Sequence, residues 1–212
     1  MASPPLRPTL NERRRAATEL EIARAAAALF AEYGAEGTTA EDIAREAGIA
    51  LRTFYRYFRT KEESVLPLLS SGVRDWIADL RAHAEGRTVP EALEESVRRA
   101  LTPTDAATEE TLRWTRGLIR AMDGDPALRQ VWQRVSRDGE DALGPVLAEL
   151  VGPGADTLDL RLASAAANAA LRVAVETWAL TDDPGPSPAD LAARCIRELT
   201  AGLTLWDHRP AA

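Results

Sequence analysis

The chain has 212 residues, 45% of them hydrophobic and 28% charged, which is enough apolar material for a buried core in one or two domains. That composition excludes a mainly disordered chain, and a single cysteine, Cys195, excludes an internal disulfide framework. The formal net charge of −7 argues against general nucleic-acid binding, yet residues 1–61 carry ten basic side chains against eight acidic ones while the remainder is strongly acidic.

In chain order, a Pro-containing start and the run Arg13-Arg14-Arg15 predict a flexible basic arm over residues 1–15. Such an arm suits phosphate or minor-groove contact. Ile22, Ala26, Leu29, Phe30 and Tyr33 share one stripe of a first helix, which Gly34 ends. Thr39 with Asp42 forms a capping box for a short second helix, and Gly48 closes it. A third short helix runs from about Leu51 to Phe58, with Leu51, Phe54 and Phe58 facing the core. Thr60 with Glu63 opens a helix from about Lys61 to Ala84, in which Pro67 and Ser70-Ser71-Gly72 predict a bend and a hinge.

Further helices are predicted near 90–101, 105–122, 126–150, 158–180 and 188–206, with Gly144-Pro145 kinking or splitting the third of these. No segment alternates as a half-buried strand does. The expected class is therefore all-α, about nine helices: three short ones over 16–60, a larger helical part over 61–206, and a flexible tail over 207–212. No apolar run reaches eighteen residues and the first ten lack a secretory stretch, so a cytoplasmic protein without a membrane partner is expected.

Three short helices with a tight Gly turn between the second and third are the ingredients of a helix-turn-helix. The third presents Arg52, Thr53, Tyr55, Arg56 and Tyr57 outward. Arg can take a guanine edge bidentately, Thr can touch a thymine methyl, and Tyr hydroxyls can reach phosphates. The chemistry therefore points to double-stranded DNA.

The run ELEIARAAAALFAEYGAEGTTAEDIAREAGIALRTFYRYFRTKEESVL, residues 19–66, resembles the DNA-binding domain of the TetR family of bacterial regulators. The shared elements are Leu29-Phe30 before Gly34, Thr38-Thr39, Ile43-Ala44, Ala47-Gly48-Ile49, Thr53-Phe54-Tyr55, Tyr57-Phe58 and Lys61-Glu62. The resemblance implies base reading by Arg52, Thr53 and Arg56. It also implies phosphate contacts by Tyr55, Tyr57 and Lys61, backed by Thr39. Two positions depart from the family pattern: Ala50 stands where a capping Ser is common, and Arg52 where Gly or Pro is frequent.

The resemblance further implies a homodimeric repressor of a palindromic operator, released by a small effector, with residues 16–60 as the helix-turn-helix DNA-binding domain and 61–206 as the effector-binding and dimerisation domain. The wording RTFYRYFRTKEE resembles an actinobacterial subgroup whose C-terminal domain is assigned acyl-CoA-like ligands. Candidate effector contacts are Trp76, Trp114, Trp132, Met122, Arg113 and Arg116, the last two forming a row with Arg120. Candidate dimer contacts are the small-residue stripe Ala163, Ala167, Ala170 and Ala174 with Trp178, together with Leu199, Leu203 and Trp206 on the last helix. A helical ligand carrier that no longer binds DNA is the alternative. Neither an enzyme nor a cofactor or metal site is expected, since His83 and His208 lack ligand neighbours and no phosphate-binding or nucleophile motif occurs.

Overall fold

The computed structural model describes residues 9–182 and 185–201. Among them are nine α-helices and one 3-10 turn, with no strand. The head comprises α1 (Leu10–Tyr33), α2 (Ala40–Glu46) and α3 (Leu51–Tyr57). A 3-10 turn over Glu62–Val65 leads into α4 (Leu66–His83), followed by α5 (Val89–Leu101) and α6 (Ala106–Ala121). Then come α7 (Pro126–Val151), α8 (Thr157–Leu180) and α9 (Pro188–Thr200).

The ends of these helices follow local chemistry. Thr9–Glu12, Thr39–Asp42, Thr88–Glu91 and Asp105–Thr108 form reciprocal caps at the starts of α1, α2, α5 and α6. Gly34 ends α1 at φ 73°, and Gly48 turns between α2 and α3 at φ 65°, conformations that favour a residue without Cβ. Helix α3 begins at Ala50 with no side-chain cap, as its sequence requires.

Two clusters of buried side chains hold the molecule together. One joins Ile22 and Phe30 of α1, Ile43 of α2, Phe54 of α3 and Val65 to Leu118, Ile119, Leu128 and Val175. The head packs through α1 directly on α6 and α4. The second gathers Trp76 and Leu80, Leu93 and Val97, Leu143 and Leu147, Ala163 to Ala174 of α8, and Ile196 of α9.

Four expectations are corrected here. Helix α1 starts at Leu10, so Arg13, Arg14 and Arg15 ride on a capped helix rather than on a flexible arm. Pro67 lies in the first turn of α4, where its missing N–H is no loss, so it starts a helix and bends none. Helix α7 continues through Pro145, because Leu143, Val146 and Leu147 are buried and offset the ~3 kcal/mol that an interior Pro costs. The stripe Ala163, Ala167, Ala170 and Ala174 packs into the second cluster of its own chain and is not free for a partner. Leu203 and Trp206 lie outside the described residues, as does the tail over 207–212.

Candidate nucleic-acid interface

Helix α3 is seated by its aromatic residues. Phe54 is fully buried, and its ring meets Tyr55 edge-on at 5.4 Å and Phe58 at 5.7 Å between centroids. Fixing that face leaves Arg52, Tyr55 and Arg56 exposed, with Thr53 and Tyr57 half-buried beside them. The Arg56 guanidinium lies over the Tyr57 ring at 5.2 Å, and Arg15 of α1 approaches the same ring at 5.8 Å. Among the described residues Arg52 and Arg56 make no ion pair, so their donors are open to solvent or an anionic partner. The structure thus brings the five predicted α3 residues onto one rigid element, with the two arginines four residues apart on its outer face.

Thr39 and Lys61 are differently placed. The Thr39 hydroxyl donates to Asp42 Oδ2 at 2.6 Å and accepts from the Asp42 amide at 3.1 Å. The Thr39 hydroxyl and then the Thr39 amide, which donates to the same Oδ2 at 3.1 Å, hold the Asp42 carboxyl below its ordinary range, with Arg45 adding a smaller effect. Lys61 Nζ donates to Ala35 O and to Thr38 O at 2.9 Å, and Glu62 lies 3.8 Å away. Thr38 in turn is buried and donates to Gly34 O. Lys61 therefore clasps the loop between α1 and α2, a role that the sequence reading missed. Its being the only lysine in the chain was the available signal.

The candidate effector residues separate into three groups. Trp76 is buried, with Nε1 donating to Ser96 Oγ at 2.9 Å, and Met122 is buried in the cluster beneath the head. Trp114 and Trp132 are half-buried, and Trp132 Nε1 donates to Glu176 Oε1 at 2.7 Å. Arg113 is turned to solvent and paired with Glu110, away from its expected neighbours. Arg116 instead stacks over the Trp178 ring at 5.2 Å and donates to Thr181 O, while Arg120 reaches Ala179 O and Asp182. Arg116, Trp178, Thr177, Ser187 and Leu191 line a cavity of about 190 Å³ between α6 and the ends of α8 and α9.

Helix α8 carries a second apolar stripe about 100° round the helix from Ala163, Ala167, Ala170 and Ala174. Leu158, Leu162 and Val173 are exposed, as is Leu180 at 60%, and Ala166 and Ala169 are half-exposed between them. Leu199 is exposed on neighbouring α9. Cys195 is half-buried there, and burial pushes its thiol up, away from a reactive thiolate. No described helix is long and apolar enough to cross a membrane.

Residues 22–65 match the family model described as bacterial regulatory proteins of the tetR family. Residues 91–204, more than half of the chain, match the model described as the MftR C-terminal domain. The HTH-type transcriptional regulator TcmR of Streptomyces glaucescens is 28% identical over 184 residues, covering 85% of this chain and 81% of the relative. The HTH-type transcriptional repressor KstR2 of Mycobacterium tuberculosis is 47% identical over 57 residues, 27% of this chain and 28% of the relative. Among solved structures, Thermus thermophilus FadR, a TetR family repressor in complex with lauroyl-CoA, superposes with a TM-score of 0.55 at 25% identity. That superposition covers 91% of this chain and 97% of the other. Head, order of helices and both matched segments agree: the chain belongs to the TetR family of bacterial transcriptional regulators.

Proposed function

We propose that the protein is a cytoplasmic repressor that binds a palindromic operator as a homodimer and leaves it when a hydrophobic or acyl-type ligand binds the larger domain, residues 61–206. The observation that carries the reading is the exposed pair Arg52 and Arg56, without an ion pair among the described residues, on a short helix locked from behind by Phe54. In a major groove, Arg52, Thr53 and Arg56 would read base edges, and Tyr55 and Tyr57 would hold phosphates. Thr39 and Lys61 would act mainly by fixing the loop and start of α2. One reading helix of two turns specifies few base pairs, whereas two on a symmetric dimer read two half-sites a helical turn or a multiple apart.

The dimer surface in this reading is the outer stripe Leu158, Leu162, Ala166, Ala169, Val173 and Leu180 with Leu199, in place of the buried alanines. Trp178 would then serve the effector site with Arg116. The acyl class is supported by the lauroyl-CoA complex of the structurally similar FadR. The cavity beside Arg116 is smaller than the ~300–1,000 Å³ of drug-sized pockets, so an acyl chain would enter only as α6 and α8 part. Ligand entry of that kind moves α6, on which α1 and the head rest.

The test is selection of duplexes from genomic fragments by the full chain, then binding at two salt concentrations with and without lauroyl-CoA. A two-fold symmetric footprint, weakened at least tenfold by Arg52→Ala and released by the thioester, is the expected result. Binding indifferent to Arg52→Ala refutes the base-reading assignment, and a complex untouched by acyl thioesters refutes the ligand class.

A further inference from the structure

The first two turns of α1 project from the packed part of the head. Every residue from Thr9 to Ala17 is exposed, and the core begins only at Ile22. What holds these turns helical is local: the Thr9–Glu12 cap, the Arg15–Glu19 pair at 2.8 Å and the Thr18 hydroxyl on Arg14 O. Their charges are on the wrong end. Cations near a helix N-terminus oppose the macrodipole, and acidic side chains would suit that end better. Arg15 is neutralised by Glu19, but Arg13 and Arg14 make no ion pair among the described residues. Two unneutralised cations on an exposed turn that gains nothing from them in the folded chain call for an anionic partner outside it.

Position identifies that partner. The Arg15 guanidinium lies 5.8 Å from the ring of Tyr57, the last residue of α3, so the projecting turns lie beside the C-terminal end of the reading helix. A duplex held against Arg52 and Arg56 carries its sugar-phosphate backbone past that edge. We infer that α1 is a second DNA-contacting element, in which Arg13 and Arg14 bind backbone phosphates beside each half-site and add affinity without reading sequence. Arg15 positions the element by holding Tyr57. The inference rests on the DNA-binding reading above, and it assigns to a rigid, capped helix what a flexible arm would do at a larger ordering cost.

The experiment compares the full chain with Arg13→Glu/Arg14→Glu, Arg13→Ala/Arg14→Ala and Arg52→Ala. The probes are a duplex enriched by the unaltered protein from random-sequence DNA and the same duplex with its half-sites scrambled. Binding is followed by anisotropy across a salt series. Each lost phosphate contact lowers the slope of log K against log salt by about 0.9, so a dimer losing one or two per protomer becomes shallower by about 2–4. Both double variants should weaken both duplexes by the same factor, whereas Arg52→Ala weakens the enriched duplex alone. The Glu variant should melt no lower than the parent, because acidic residues favour a helix start. An unchanged slope overturns the inference. Weaker binding accompanied by a lower melting temperature or lost helicity also overturns it, because the arginines would then be structural. A parent chain that enriches no duplex removes the DNA reading, and this inference with it.

Discussion

Gly117 is a point of close approach between α1 of the head and α6. A Cβ built there would lie 2.3 Å from Ala31 Cβ and 2.8 Å from Ala31 Cα on α1. Ordinary contacts begin at 3.4 Å, so Gly117→Ala must part α1 and α6 by about 1 Å at the crossing. Two effects of opposite sign compete. Alanine is favoured over glycine in a helix interior by about 1 kcal/mol, while overpacking of this kind costs about 1–3 kcal/mol. Gly72 isolates the first effect: it lies within α4, and a Cβ there meets nothing within 4 Å. Gly72→Ala should therefore raise the melting temperature by about 2–4 °C, while Gly117→Ala should leave it level or lower it by up to about 8 °C. Because α1 carries the head, Gly117→Ala should also change DNA affinity and blunt the response to lauroyl-CoA, and Gly72→Ala should do neither. Thermal melts by circular dichroism and anisotropy titrations read both. If Gly117→Ala stabilises as much as Gly72→Ala and binds DNA normally, the crossing is loose and the argument for coupling through it fails.

Thr39→Ala removes the cap of α2 and should cost about 1 kcal/mol together with some DNA affinity, read by melting and anisotropy on the same sample. Since the Asp42 carboxyl is held low by Thr39, its contribution is present above its ordinary value of 3.8 and is lost as pH falls through the lower folded value. The gap in melting temperature between the parent chain and Asp42→Ala should accordingly shrink only below about pH 4, and a gap constant down to pH 2 would contradict this. Leu162→Asp replaces a side chain 49% exposed in the single chain, so it should preserve helicity yet give a monomer in sedimentation and lose operator binding. An intact dimer would place the interface elsewhere. Lys61→Met should lower stability by about 1–3 kcal/mol through the lost bonds to Ala35 O and Thr38 O, whereas a lysine serving phosphates alone would weaken DNA binding at unchanged stability.

What the sequence determined by itself is what local chemistry decides. Apolar spacing placed the helices, Thr39 with Asp42 marked a start, and Gly34 and Gly48 marked ends, because caps and left-handed turns depend on residues a few positions apart. The outward set on α3 was legible for the same reason: once Phe54 and Phe58 face inward, the helical period sends Arg52, Tyr55 and Arg56 out. Thr60 with Glu63, expected to open a helix at about Lys61, precedes only a 3-10 turn, and α4 begins at Leu66 without a side-chain cap. Pro67 was misread because a proline that begins a helix and one that bends it look alike until the preceding 3-10 turn is seen. The partners of each face were beyond the sequence. Helix α8 has two neighbouring stripes, the small residues Ala163, Ala167, Ala170 and Ala174 and, beside them, Leu158, Leu162, Val173 and Leu180, and periodicity offers either to a second chain. Only the packing of α7 and α9 over the alanines decided which remains outside. Lys61 on Ala35 O and Thr38 O, Arg116 on Trp178, and Gly117 against Ala31 likewise join residues far apart in the chain. Such contacts depend on how whole helices cross, which no run of neighbouring residues specifies.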